Sequence, residues 1–209
     1  NGTTTSTGVV YGSGDVPTIY SATTMDADND GKIDHYKIVF RDALLATPVP
    51  IDDSTFPGGS SSHNIVGASQ TDWTIAGYSN VVIVTGTQAP EADTQDDATI
   101  YLRFTEGAGY DTGAKPDLTT SATPGLKSTS NVAMVRIFTP DVTEADGAKP
   151  IVVGASGTTT FTALTVAFSE AVYGTTANTP CTSGSSGLMG TGTLTYTDGN
   201  ASAGATGIS

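Results

Sequence analysis

Four carboxylates, Asp26, Asp28, Asp30 and Asp34, are spaced around one glycine in the run Asp26-Ala27-Asp28-Asn29-Asp30-Gly31-Lys32-Ile33-Asp34. Their chemistry is that of a hard-cation site. Ca²⁺ takes six to eight oxygens, and acids at loop positions 1, 3, 5 and 9 with a backbone carbonyl at position 7 can surround one ion. Position 7 is Lys32 and position 6 is Gly31, the residue that permits the sharp turn between them. The expected ligands are therefore Asp26, Asp28, Asp30, the Lys32 carbonyl and Asp34. The plainer alternative is a solvated Asn-Asp-Gly turn without metal, but a turn has no use for four spaced acids.

This run resembles the calcium loops of EF-hands, dockerins and type-3 thrombospondin repeats, over about nine to twelve residues. It departs from the EF-hand at position 12, where a bidentate Glu would stand and this chain has Lys37. The shell must then be completed from elsewhere. Candidates are Asp42, Asp52 and Asp53 after the loop, Asp93, Asp96 and Asp97 before a later strand, and Asp141, Glu144 and Asp146 near a domain junction. The chain after the loop is not a helix, because Tyr36, Ile38 and Phe40 alternate with His35, Lys37 and Arg41. Period two predicts a strand with His35 outward, so the loop joins two strands and its expected task is to pin a β-hairpin.

The elements around the loop follow from composition. The 209 residues are rich in Gly, Thr, Ser and Ala, 37% hydrophobic and only 14% charged, and no helical stripe of useful length is visible. Many short strands are expected, giving an all-β chain. A net charge of −13 with eight Lys and Arg makes the electrostatics of nucleic-acid binding repulsive. An anionic membrane is disfavoured for the same reason, and no run approaches the ~20 apolar residues that would span a bilayer. Cys181 is the one cysteine, so disulfides do not hold the fold and this thiol reads as a small buried hydrophobe.

Two segments of the chain repeat. Pro17-Thr18-Ile19-Tyr20-Ser21-Ala22 aligns with Pro150-Ile151-Val152-Val153-Gly154-Ala155, and Ile38-Val39-Phe40-Arg41-Asp42-Ala43-Leu44 with Val166-Ala167-Phe168-Ser169-Glu170-Ala171-Val172. Between them the first copy has the Asp-rich loop and the second has Gly157-Thr158-Thr159-Thr160. A later match pairs Trp73-Thr74-Ile75 with Leu194-Thr195-Tyr196, which places Trp73 in the core. The expected organisation is a preceding repeat end or linking strand at 1–13, a first domain at 14–146 and a partial second domain at 147–209, with Asp141 to Gly147 as linker. Strands in the first domain are expected at 17–23, 34–41, 72–77, 80–86, 97–105, 117–121 and 131–138. Ile100, Leu102 and Phe104 should face inward on one of these, and Ala133, Val135 and Ile137 on another, with Pro48 to Gln70 as a mobile surface loop.

The Pro-opened first strand, the Asp-rich loop leading to a second strand, and the run Phe168-Ser169-Glu170-Ala171-Val172 together resemble the tandem immunoglobulin-like domains of large bacterial surface and secreted proteins. The resemblance implies an immunoglobulin-like β-sandwich, repeated, with the second copy incomplete. It also implies an extracellular or cell-surface place and a mechanical role as spacer, adhesive stalk or filament-building unit. The implied partners are neighbouring repeats or copies of the chain itself, as a window on a longer array or by head-to-tail strand addition.

The runner-up is a carbohydrate-binding module of a secreted enzyme, with Trp73, Tyr78, Tyr101 and Tyr110 as the aromatics that could stack on a host or surface glycan. Catalysis is not expected. His35 and His63 are the only histidines and neither has a visible nucleophile partner. Asn1-Gly2-Thr3 and Asn200-Ala201-Ser202 fit the N-glycosylation sequon, a pattern common by chance.

Overall fold

The computed structural model describes residues 16–42, 45–53, 72–84, 86–137, 142–157, 164–172, 195–198 and 201–204. Residues 1–13, His63, Asp141, Cys181 and Asn200, each singled out above, lie outside them. The described residues form strands, with a 3-10 turn at Gly86–Gln88 and no α-helix, so the described part of the chain is all-β. None of these elements is a helix long and apolar enough to cross a membrane. The chain divides into two compact units, Asn1–Lys149 and Pro150–Ser209.

The first unit contains β1 (Pro17–Met25), β2 (His35–Asp42), β3 (Trp73–Ile75), β4 (Ser79–Val84), β5 (Thr99–Thr105), β6 (Leu118–Thr120) and β7 (Glu144–Ala145). Five of these build one sheet in the order β4-β5-β2-β1-β7, and β3 pairs with β6 in a second. All pairs are antiparallel except β1 with β7. Tyr36, Ile38 and Phe40 on β2, and Ile100, Leu102 and Phe104 on β5, are buried together, as their period-two spacing requires. Trp73, Ile75 and Leu118 from the second sheet join the same cluster, so one core takes side chains from both sheets. Fully burying an Ile or Phe contributes about 1.5–3 kcal/mol relative to exposure, which makes this cluster the main stabilising term.

Three expectations change here. The strand expected at 131–138 is not formed in the described residues, where only an isolated bridge links Lys127 and Ala133. Met134 and Ile137 are buried while Val135 is 48% exposed, a spacing of three that no regular strand can produce. The stretch from Pro48 does not begin as a surface loop: Val49 and Ile51 are buried, and isolated bridges tie Pro48 to Arg41 and Ile51 to Ser128. The segment read as a linker supplies β7, which pairs Glu144 with Ala22 and Ala145 with Thr23. Gly147 lies so close to β1 that a Cβ there would fall 2.3 Å from Thr23 Cγ2.

The second unit contains β8 (Val152–Gly157), β9 (Leu164–Phe168), β10 (Thr195–Asp198) and β11 (Ala201–Gly204), paired as two antiparallel hairpins. In β1–β2 the ladder runs Ile19↔Phe40, Ser21↔Val39, Ala22↔Ile38, with a bulge that skips Tyr20. In β8–β9 it runs Val152↔Phe168, Gly154↔Ala167, Ala155↔Val166, with a bulge that skips Val153. The residues that align in sequence thus occupy the same register positions, including the bulge.

Candidate metal centre

The Asp-rich loop closes the β1–β2 hairpin. The last pair is Met25↔His35, and the Asp34 N–H donates to the Met25 carbonyl at 3.0 Å. Two residues in the left-handed region turn the chain between them, Asn29 at φ 60° and Gly31 at φ 97°. Asn tolerates that region and Gly has no Cβ to strain it. Ile33, fully buried, anchors the loop in the core.

The carboxylates organise the backbone of this turn. Asp26 Oδ1 and Oδ2 accept the N–H groups of Asp30 and Gly31 at 3.2 and 2.9 Å, and Asp28 Oδ1 shares the Asp30 N–H at 3.2 Å. Asp30 Oδ1 accepts the Lys32 N–H at 3.0 Å, and Asp34 Oδ1 accepts the Ala27 N–H at 2.9 Å. Oxygens of Asp26, Asp28 and Asp30 lie within 4.8 Å of one another, and so do oxygens of Asp28, Asp34 and Glu106. A cation bound at about 2.4 Å can bridge oxygens separated by that much. Asp28 belongs to both groups and is the centre of the arrangement.

Glu106 was not among the candidates for the missing ligand. It arrives through sheet register: β2 pairs with β5 as His35↔Arg103, and the Phe104 N–H donates to the Asp34 carbonyl at 3.0 Å. The chain leaving β5 therefore passes the loop. Asp111, further along, also reaches back: its Oδ1 accepts the Ile33 N–H at 2.8 Å, its Oδ2 accepts the Tyr78 hydroxyl at 2.5 Å, and its own N–H donates to the Gly31 carbonyl at 3.0 Å. Asp111 clamps the loop from behind. No short-range sequence pattern could have shown either residue.

Of the nine acids proposed for the last ligand, Asp141 lies outside the described residues and the other eight are not in these two groups. Asp42 sits at the far end of β2, accepting the N–H groups of Val16 and Leu45. Asp53 accepts from the Asp96 N–H, Asp93 from Gly86, Asp97 from Thr99, and Glu144 from Leu118. These acids cap turns and strand ends, which is the ordinary work of Asp and Glu near free backbone donors.

Electrostatically the centre is strained. Desolvation raises the Asp26 carboxyl above its ordinary pKa, and the charge of Asp28 adds to the rise against backbone hydrogen bonds from Gly31, Asp30 and Asn29. Lys32 responds with its side chain, placing Nζ 2.8 Å from Asp30 Oδ2 and 2.9 Å from Glu106 Oε2. Its hydrogen bond lowers the Asp30 carboxyl, and the two acids hold the ammonium above its ordinary range. His35, expected outward, is only 6% exposed on β2, an inner strand of the sheet. Its Nδ1 lies 2.8 Å from Asp34 Oδ1, yet neither ring nitrogen makes a hydrogen bond of good geometry. The donor set is all oxygen, which suits a hard divalent cation and not a thiolate- or imidazole-seeking one.

The aromatics of the carbohydrate reading are dispersed. Trp73 and Tyr101 are buried, Tyr78 is half-buried against Phe104, and Tyr110 alone of the four is exposed. A cleft of about 320 Å³ beside β3 and β4 is lined by Trp73, Thr74, Ile75, Tyr78, Ser79, Asn80, Val81 and Val82. Comparison with protein-family models, with curated proteins and with solved structures finds no match to this chain.

Proposed function

We propose that the first unit is a calcium-stabilised immunoglobulin-like β-sandwich, one module of an extracellular bacterial surface or adhesin-type protein, and that its role is mechanical. The observation that carries this reading is that two carboxylate groups share Asp28: Asp26, Asp28 and Asp30 of the β1–β2 loop, and Asp28 and Asp34 of that loop with Glu106 from the end of β5. One ion held there ties three neighbouring strands at one end of the sheet. The Lys32 carbonyl stays in the proposed ligand set from its place in the loop, and Glu106 joins it. Calcium at such a centre stabilises a hairpin; no catalytic role is assigned to it.

The shared register of β1–β2 and β8–β9 supports reading the second unit as a second copy of the same module, without the Asp-rich loop. Modules of this kind take neighbouring repeats, or other copies of themselves, as partners. An affinity of roughly 10⁻⁴ to 10⁻³ M, as in extracellular modules, suits millimolar calcium outside the cell. At a hundred times Kd the ion adds about 2.7 kcal/mol. Thermal melting in EGTA and in excess calcium tests the proposal, and coincident midpoints would remove it.

A further inference from the structure

We propose that Lys32 is a tethered competitor for the divalent cation, an internal counter-ion that sets how weakly the loop binds its metal. The inference rests on the calcium reading above. Lys32 Nζ stands between Asp30 and Glu106, at 2.8 and 2.9 Å, so a positive charge already bridges an acid of the loop and the acid that follows β5. The ammonium is partly shielded, its side chain 24% exposed. Asp30 and Glu106 belong to the two carboxylate groups that share Asp28, so a cation using both groups shares these two carboxylates with Lys32. A buried ring, that of His35, is turned toward Asp34 of the second group without a satisfied hydrogen bond, so the acids are backed by a polar residue that the fold has otherwise left unused.

Five carboxylates make up the two groups, those of Asp26, Asp28, Asp30, Asp34 and Glu106, and the ammonium of Lys32 lies against one member of each, Asp30 and Glu106. Without metal, Lys32 neutralises part of the cluster and holds Glu106 to the loop, so the loop keeps its shape. When a divalent cation binds, the ammonium is displaced into water, and breaking its two charge-assisted hydrogen bonds opposes binding. The ion replaces an existing bridge and does not create the first one. Lys32 thereby lowers the metal affinity and also reduces the difference in stability between the two states.

Calcium titration of the full chain by calorimetry, wild type beside Lys32→Met and Lys32→Arg, tests this. Lys32→Met keeps the length of the side chain and removes the charge, and it should bind calcium at least about tenfold more tightly. Lys32→Arg keeps the charge and should stay close to wild type. Melting in chelator should show Lys32→Met below wild type, with a larger recovery on adding calcium. Equal or weaker calcium binding by Lys32→Met, with wild type binding, overturns the inference and leaves the calcium reading intact. No binding by wild type or either variant removes both. Should Lys32→Met fail to fold, the wild-type side chain is read directly by NMR: its ammonium resonance should move to that of a free lysine as calcium saturates the loop, and an unmoved resonance overturns the inference.

Discussion

Two hairpins of this chain share a register and differ in almost everything else. In β1–β2 the inward residues Ala22, Ile38 and Phe40 are buried, because β5 pairs along β2 and the β3–β6 pair contributes to the same cluster. In β8–β9 the aligned positions are more open: Val166 and Phe168 are half-buried, Ala155 is exposed and Val152 is 56% exposed. The pairing of two adjacent strands and the bulge between them are therefore local properties, written into a Pro-opened strand and an aliphatic-Phe strand. Burial is not local. It depends on strands that arrive from far along the chain, and the acidic centre depends on the same arrivals.

Substitution of the two aligned phenylalanines should separate these contributions most widely. Phe40→Ala empties a fully buried site and is expected to cost about 3–5 kcal/mol in urea unfolding. Phe168→Ala acts at a half-buried position and should cost clearly less. Equal costs would break the comparison, since burial would then not be what distinguishes the hairpins.

A buried acid sharpens it from another side. Asp53, 1% exposed, is pushed up to about 6 by desolvation, with the charges of Asp93, Asp96 and Asp97 adding to the rise against a hydrogen bond from the Asp96 backbone. The folded state then holds a proton that the unfolded state has released. Stability from this group is fully present below about pH 4 and falls by up to about 1.4 kcal/mol per pH unit until pH passes 6. Asp53→Asn should flatten that slope in unfolding curves taken across the window, and an unchanged slope would assign it to other groups.

The smallest contrast is between two glycines. Gly31 holds φ 97° inside the loop, so Gly31→Ala should cost about 1–2 kcal/mol. Gly154, at the β8 bulge, has its nearest neighbour Ala167 Cβ at 3.8 Å from an added Cβ, so Gly154→Ala should change stability by less than about 0.5 kcal/mol. Comparable losses at both would mean that the loop backbone carries no special demand.

What was legible in the sequence follows the same division. The period-two runs of β2 and β5, the core place of Trp73, and the loop with its turning glycine all depend on residues within a few positions of one another. Residues 131–137 were misread because apolar residues at alternate positions imitate a strand, whereas Met134 and Ile137 point inward from irregular backbone. His35 was misread because an outward position on an inner strand can still be covered. Glu106 and Asp111 were missed because they sit 74 and 78 residues from the loop atoms they meet, and only the β2–β5 register brings them there. Asp42, Asp53, Asp93, Asp97 and Glu144, which sequence position made candidates, accept backbone N–H groups elsewhere.

The most direct test of the account is a calcium titration followed by backbone amide NMR. The Ala27 N–H donates to Asp34, the Asp30 N–H to Asp26 and Asp28, and the Gly31 N–H to Asp26, so these amides report on those carboxylates, and the amide of Gly107 reports on Glu106. All four should shift together, with one Kd of roughly 10⁻⁴ to 10⁻³ M. Shifts confined to the loop with Gly107 unmoved would take Glu106 out of the centre. No shift at any of them up to about 10⁻² M calcium, well above the range of extracellular modules, would contradict the account.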